Sequence, residues 1–194
     1  MKYLPAVFAL ACSGMAWGQA GELWLNIGES ILSNSAIGST SAFTNLSNIK
    51  LDDGYRFGFR FGFNAGDHLG YEVQYAFNHA QLDQNGTKTA MHFHQGGVNV
   101  LYYLTGDKTG IRPFATAGVQ FDDFVPPGGA INYGSQNKFG ANFGAGIKVH
   151  VKGMWAVRFD VREYVTGKPD FNVFTGTSGA LWQTEVSGGV GIGF

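Results

Sequence analysis

Between Tyr55 and Phe77 the chain alternates with a period of two. Tyr55, Phe57, Phe59, Phe61 and Phe63, then Leu69, Tyr71, Val73, Tyr75 and Phe77, are large and apolar. Between them stand Arg56, Gly58, Arg60, Gly62 and Asn64, then Gly70, Glu72, Gln74 and Ala76. Successive side chains of a strand point to opposite faces, so this pattern predicts two amphipathic strands. Ala65-Gly66-Asp67 joins them as a tight turn. That turn predicts Phe63 opposite Leu69, which sets Arg60 directly opposite Glu72 on the polar face.

The second strand runs on to Leu82, where Gln84-Asn85-Gly86-Thr87 follows. Asn-Gly between alternating segments is a strong hairpin signal. It predicts Phe77 opposite His94, Tyr75 opposite Gly96, Val73 opposite Val98, Tyr71 opposite Val100 and Leu69 opposite Tyr102. Both turns then place the same residues on the apolar face, and agreement between independent signals supports each.

The alternation recurs along the chain. A first strand spans about Glu22 to Ile31, with Leu23, Leu25, Ile27 and Ile31 on one face. A fifth spans Ile111 to about Phe124, with Pro113 near its start, where proline is tolerated. A sixth, Lys138 to Val151, alternates Phe139, Ala141, Phe143, Ala145, Ile147 and Val149 with Lys138, Gly140, Asn142, Gly144, Gly146 and Lys148. A seventh sets Trp155, Val157, Phe159 and Val161 against Arg158, Asp160 and Arg162. The last, Trp182 to Phe194, sets Val186, Val190, Ile192 and Phe194 against Glu185, Ser187, Gly189, Gly191 and Gly193. Polar stretches at 33–50, 125–137 and 167–181 read as long loops. Short turns fall at 64–68, 105–110 and 152–154, and the Asn-Gly hairpin is a tight loop on the long-loop end. Long and short connections that alternate in this way fit an all-β, eight-stranded antiparallel up-and-down transmembrane β-barrel, with a polar interior and a lipid-facing aromatic exterior.

Composition bears on which face is outside. Charged residues are 14% and aromatic residues 15% of the chain, with 30 glycines. Ordinary soluble domains carry roughly a quarter charged residues. A soluble barrel would turn five aromatics from one strand into a narrow interior and leave a glycine-rich outside. Turned the other way, the glycines make room inside for Arg56, Arg60, Glu72, Lys148, Arg158, Asp160, Arg162 and Glu185. Tyr55, Trp155, Tyr164, Trp182 and Phe194 then fall where interfacial aromatic girdles are expected. The formal net charge of −1 gives no electrostatic basis for nucleic-acid binding.

Residues 1–20 read as a cleaved signal peptide, with Lys2, an apolar stretch through Ala16 and small residues at Ala16, Gly18 and Ala20. Residues 21–194 are then the barrel. Lipoprotein processing at Cys12 is the rival, but Leu10 stands two residues before the cysteine instead of three. No thiol or disulfide chemistry is expected after the leader, and no apolar run is long enough for a membrane-spanning helix.

The leader, the eight alternating strands and the terminal stretch from Val186 to Phe194 resemble the small OmpA-like outer-membrane β-barrel family of Gram-negative bacteria. The resemblance covers essentially the whole chain after the leader and is architectural. It implies location in the outer membrane, contact with outer-membrane lipid and lipopolysaccharide, and an assembly signal ending in Phe194 that is read by the barrel assembly machinery. It does not imply the anchoring role of two-domain relatives. A monomer is expected.

Several constellations carry possible chemistry. The inward charges read as an interior network that fills the barrel, with a small pore for ions or small solutes as the alternative. His79, His92 and His94 share the outer face and read as an interfacial patch, the alternative being a metal site. A lipid A-modifying enzyme would need His, Ser and an acid together on the outer face. Ser135 and Ser178 fall in loops, so no catalytic residues, cofactor or metal are assigned. Asp122-Asp123, a carboxylate pair near an extracellular loop, reads as a solvated loop end or a weak cation contact. The expected role is structural or surface-interacting, through the extracellular loops and without catalysis.

Overall fold

The computed structural model describes residues 21–33, 35–42, 45–106, 109–127, 136–171, 175–176 and 178–194. The predicted leader with Cys12, and Ser135, lie outside the described residues. The described chain is all β: β1 (Gly21–Ser33), β2 (Ala36–Ala42), β3 (Asn45–Asp52), β4 (Gly54–Asn64), β5 (Leu69–Gln84), β6 (Thr87–Tyr103), β7 (Ile111–Val125), β8 (Gln136–Lys152), β9 (Trp155–Gly167), β10 (Thr175–Gly176) and β11 (Ala180–Gly193).

Eight long strands close into a ring. In order they are β1, β4, β5, β6, β7, β8, β9 and β11, each antiparallel to its neighbours, with β11 returning to β1. At the seam the Gly21 amide donates to the Phe194 carbonyl and the Phe194 amide to the Gly21 carbonyl, both at 2.8 Å. Closure leaves no unpaired strand edge along this wall, which is the condition for crossing an apolar solvent with strands.

The Asn-Gly hairpin has the predicted register. Phe77 faces His94, Val73 faces Val98 and Leu69 faces Tyr102. Asn85 and Gly86 both take positive φ, 55° and 84°. Two successive left-handed residues make the turn whose twist matches the flanking strands, which is why Asn-Gly encodes it. The first hairpin differs from expectation by two residues. Phe63 faces Tyr71, Arg60 faces Gln74 and Gly62 faces Glu72. The Ala65 amide donates to the Leu69 carbonyl at 2.7 Å, so the turn is centred on Asp67, with Gly66 at φ 81°. A shift of two conserves the face of every residue, so the alternation cannot detect it.

The stretch expected as a polar loop at 33–50 instead holds β2 and β3. They pair with each other, and β3 pairs with the far end of β5, from Ile49 opposite Gln84 to Asp52 opposite Gln81. Its Ser, Asn and Thr content suggests a loop. Yet Ile37, Ile49 and Leu51 are spaced to turn inward and are fully buried. β10 adds a short pairing to β2.

The faces sort by parity. Phe57, Phe59, Tyr71, Val73, Val98, Val119, Phe143, Phe159, Val186 and Val190 form an exposed apolar band around the ring. Phe59 is 46% exposed while its neighbour Arg60 is 2% exposed. The interior is layered rather than uniformly polar. A charged middle lies between an apolar cluster at the long-loop end, including Leu32, Ile37, Leu82, Met91, Phe93, Phe124 and Phe171, and a smaller one of Leu101, Tyr103 and Phe114 at the short-turn end. Strands that continue past the membrane band meet water on their outer face, so their inner face becomes an ordinary core.

Candidate functional site: the barrel lumen

The middle of the lumen is filled by four arginines and three carboxylates. Arg56 and Arg60 come from β4, Glu72 from β5, Arg158, Asp160 and Arg162 from β9, and Glu185 from β11. All seven occupy the inward parity of their strands and are at most 3% exposed. β5 and β9 stand diametrically opposite in the ring, with three strands between them on either side. Their ion pairs therefore cross the full width of the barrel.

Arg158 grips Asp160 with two parallel hydrogen bonds, Nε to Oδ2 at 2.7 Å and Nη2 to Oδ1 at 2.9 Å. Its remaining Nη1 reaches across to Glu72 Oε2 at 2.5 Å. Arg162 Nη2 donates to the other Glu72 oxygen at 2.9 Å, and its Nε to Asp160 Oδ1 at 3.1 Å. Arg60 Nη1 lies 2.8 Å from Asp160 and its Nη2 donates to Glu185. Arg56 Nε pairs with Glu185 at 3.2 Å. The forked guanidinium suits this work because it meets two carboxylate oxygens at once and offers five donors to several acids.

Arg60 and Glu72, expected as direct partners, are 3.9 Å apart. The two-residue register shift makes Glu72 a diagonal neighbour of Arg60 and gives it to Arg158 and Arg162. Lys148 also stands apart from the seven. Its Nζ donates to Glu22 Oε2 and to the Tyr103 hydroxyl at the short-turn end. Glu22 is missing from the inward charges expected above, although its even position on β1 marks it as one of them.

Tyr164 corrects another expectation. Its aromatic type suggests an outer girdle, but it is fully buried in the lumen. Its hydroxyl donates to Glu185 Oε2 at 2.6 Å and accepts from Arg56 Nη2 at 3.1 Å. Its even number, shared with Arg158 and Arg162, carries that information. Tyr55, Trp155, Trp182 and Phe194 are exposed on the outside. Asp122-Asp123 is not a solvated loop end either. β7 continues to Val125, so Asp122 turns inward and is fully buried, while Asp123 faces outward opposite His94.

Amides extend the network. Gln183 Nε2 donates to Ser30 Oγ at 2.7 Å and to Asn78 Oδ1 at 2.9 Å, and Arg56 Nη1 donates to Gln95 Oε1. Below the charged layer a cavity of about 300 Å³ opens at the short-turn end, lined by residues including Glu22, Trp24, Arg112, Lys148 and His150. On the outer face, His79 stands opposite His92 as expected. Among the described residues no group of three or more His, Cys, Asp or Glu is arranged to hold a metal ion. Ser178 is exposed and lies outside the strands.

The family model for the outer membrane protein beta-barrel domain matches residues 4–194. The comparison with curated proteins gave no match. Among solved structures, OprG from Pseudomonas aeruginosa is similar at a TM-score of 0.66 and 17% identity, with 91% of this chain and 97% of that one covered. Neisserial surface protein A is similar at 0.57 and 14% identity, covering 90% and 99%. Outer membrane protein W of E. coli is similar at 0.51 and 15% identity, covering 91% and 100%. At such identities these likenesses speak for the fold. A ring that turns aromatics outward and ion pairs inward is built for lipid, and this chain belongs to the outer membrane protein beta-barrel domain family and resides in the outer membrane.

Proposed function

We propose that the protein is a filled, non-conducting and non-catalytic barrel that serves as a structural and surface-interacting element of the outer membrane. The observation that carries this reading is the ion-pair layer between β5 and β9, which spans the lumen with side chains almost without solvent exposure. An eight-stranded barrel is just wide enough for side chains to fill. The apolar cluster at the long-loop end is a second obstruction above it. Function then falls to the parts that face outward. These are the extracellular hairpins built from β2, β3 and the ends of β5 and β6, together with the lipid-facing wall, whose partners are outer-membrane lipid and lipopolysaccharide.

Phe194, 70% exposed at the seam, fits the role of a terminal signal for the barrel assembly machinery. The protein acts as a monomer in this reading, since the ring closes on itself and its apolar band is covered by lipid.

Single-channel recording in planar bilayers tests the proposal. Silence is expected from the purified barrel, and stable, reproducible openings would refute it. A small pore is the second reading. The cavity of about 300 Å³ at the short-turn end favours it, because it brings solvent up to Lys148.

A further inference from the structure

Three of the five histidines share one outward patch on the β5–β6 hairpin. His79 faces His92, and His94 lies one outward position nearer the membrane, opposite Phe77. Aromatic neighbours hold the rings. Tyr55 stacks on His79 with centroids 4.8 Å apart and planes 3° from parallel, and Phe77 stacks on His92 at 5.4 Å. The Tyr75 hydroxyl lies 2.6 Å from His94 Nδ1, which leaves Nε2 of that ring with no hydrogen bond among the described residues. No ring nitrogen of His79 or His92 has a hydrogen-bond partner among them.

The patch sits where the apolar band ends. Toward the membrane centre the same strands expose Tyr71, Val73, Val98 and Val100. Away from it begin the charges of the hairpin tip, where Lys50 meets Asp52 and Asp83, and Lys88 meets Asp52. Long extensions mark the extracellular side, so this height is that of the outer-leaflet headgroups. Two acids border the patch: Glu29 on β1, opposite Tyr55, and Asp123 on β7, opposite His94.

We propose that His79, His92 and His94 form a binding surface for the phosphate groups of lipopolysaccharide. The proposal rests on the reading of lipopolysaccharide as a partner and names the residues that meet it. Imidazole offers N–H donors to phosphate oxygens, while its ring tolerates the apolar side of the interface. The nearby lysines are engaged by Asp52 and Asp83, while the ring nitrogens of His79 and His92 have no hydrogen-bond partner among the described residues. Asp123, directly opposite His94, repels an anion there, whereas Tyr55 stands between Glu29 and His79. The phosphate therefore sits against the His79–His92 edge, with His94 beside it.

The test uses the barrel refolded in phosphatidylcholine nanodiscs doped with lipid A, with lipid A stripped of both phosphates, or with phosphatidylglycerol. Native mass spectrometry counts the lipid retained per barrel. The wild type is expected to retain phosphorylated lipid A about tenfold over the stripped form. The variant H79F/H92F/H94F keeps the stacked rings and is expected to lose that preference. Equal retention of both forms by the wild type would overturn the proposal, as would an undiminished preference in the variant. Retention of phosphatidylglycerol as strong as that of lipid A would replace it with a general anion surface. If the triple variant does not refold, H79F and H92F are read singly, and each is expected to lower the ratio. Retention of both lipid A forms alike by the wild type removes the histidine site and leaves the partnership standing, whereas no retention of either form removes both.

Discussion

Replacing Glu72 by glutamine tests whether the lumen is held by charge balance. In the seven-residue layer four guanidinium groups face three carboxylates, a net of one positive charge. Glu72→Gln nearly conserves volume and shape but raises that to two, inside a site where Glu72 is 2% exposed. Its two oxygens now accept from Arg158, Arg162 and Asn99. Breaking a buried pair while leaving its partner charged costs about 3–5 kcal/mol. Glutamine keeps one acceptor oxygen, so about 3 kcal/mol is expected, with a lower urea midpoint. Adding Arg158→Met restores the net charge, and the methionine can pack on Phe114, whose ring centre lies 4.6 Å from the guanidinium carbon. The double variant should then be about 1–2 kcal/mol more stable than the sum of the two single costs implies. The assay is urea unfolding of barrels refolded into phospholipid vesicles, followed in both directions by tryptophan fluorescence. A Glu72→Gln cost within about 0.5 kcal/mol of zero would refute the reasoning, as would strictly additive single costs.

Gly144→Ala should destabilise the barrel by about 1–3 kcal/mol in the same assay, because the new methyl would run into the Val161 carbonyl oxygen and come within 2.8 Å of Arg162 Cα, and backbone cannot swing aside as a flexible side chain can; an unchanged urea midpoint would count against so close an approach of β8 and β9. At the hairpin tip, outside the membrane band, hydrogen bonding from Lys88 holds the Asp52 carboxyl below its ordinary range, with Lys50 adding to the effect, and the Lys88 ammonium is correspondingly raised. A depressed carboxyl stabilises the folded tip above the unfolded carboxyl pKa of about 4, and this is lost as pH falls through the lower folded value. Lys88→Met should therefore move the Asp52 midpoint upward in carbon-detected NMR, with little change in global stability because the pair is exposed; an unmoved midpoint would dismiss the contact.

Much of the wall is legible in the amino-acid sequence. The eight long strands, the Asn-Gly register and the outward face of Phe57, Phe59 and Tyr71 all follow from period-two alternation read against low charge and high glycine. Parity also carries what residue type conceals. Tyr164 and Glu22 stand at inward positions, yet aromatic type points Tyr164 to the girdle, and its place at the very start of a strand hides Glu22. Composition obscures the strands at 33–50, where Ser, Asn and Thr mask the spacing of Ile37, Ile49 and Leu51.

Which charge meets which lies beyond the sequence. A hairpin whose turn moves by one residue at each end keeps every side chain on its face, so pattern alone determines that Arg60 and Glu72 point inward and not that they are two positions out of direct register. The partners of Glu72 on β9 lie 86 and 90 residues away in the chain. Only closure of the ring brings β5 and β9 to opposite walls of one narrow lumen. Alternation is a local property and fixes the face of each residue. Contact across the lumen depends on strand order, tilt and register summed around eight strands, and the tertiary structure alone decides it.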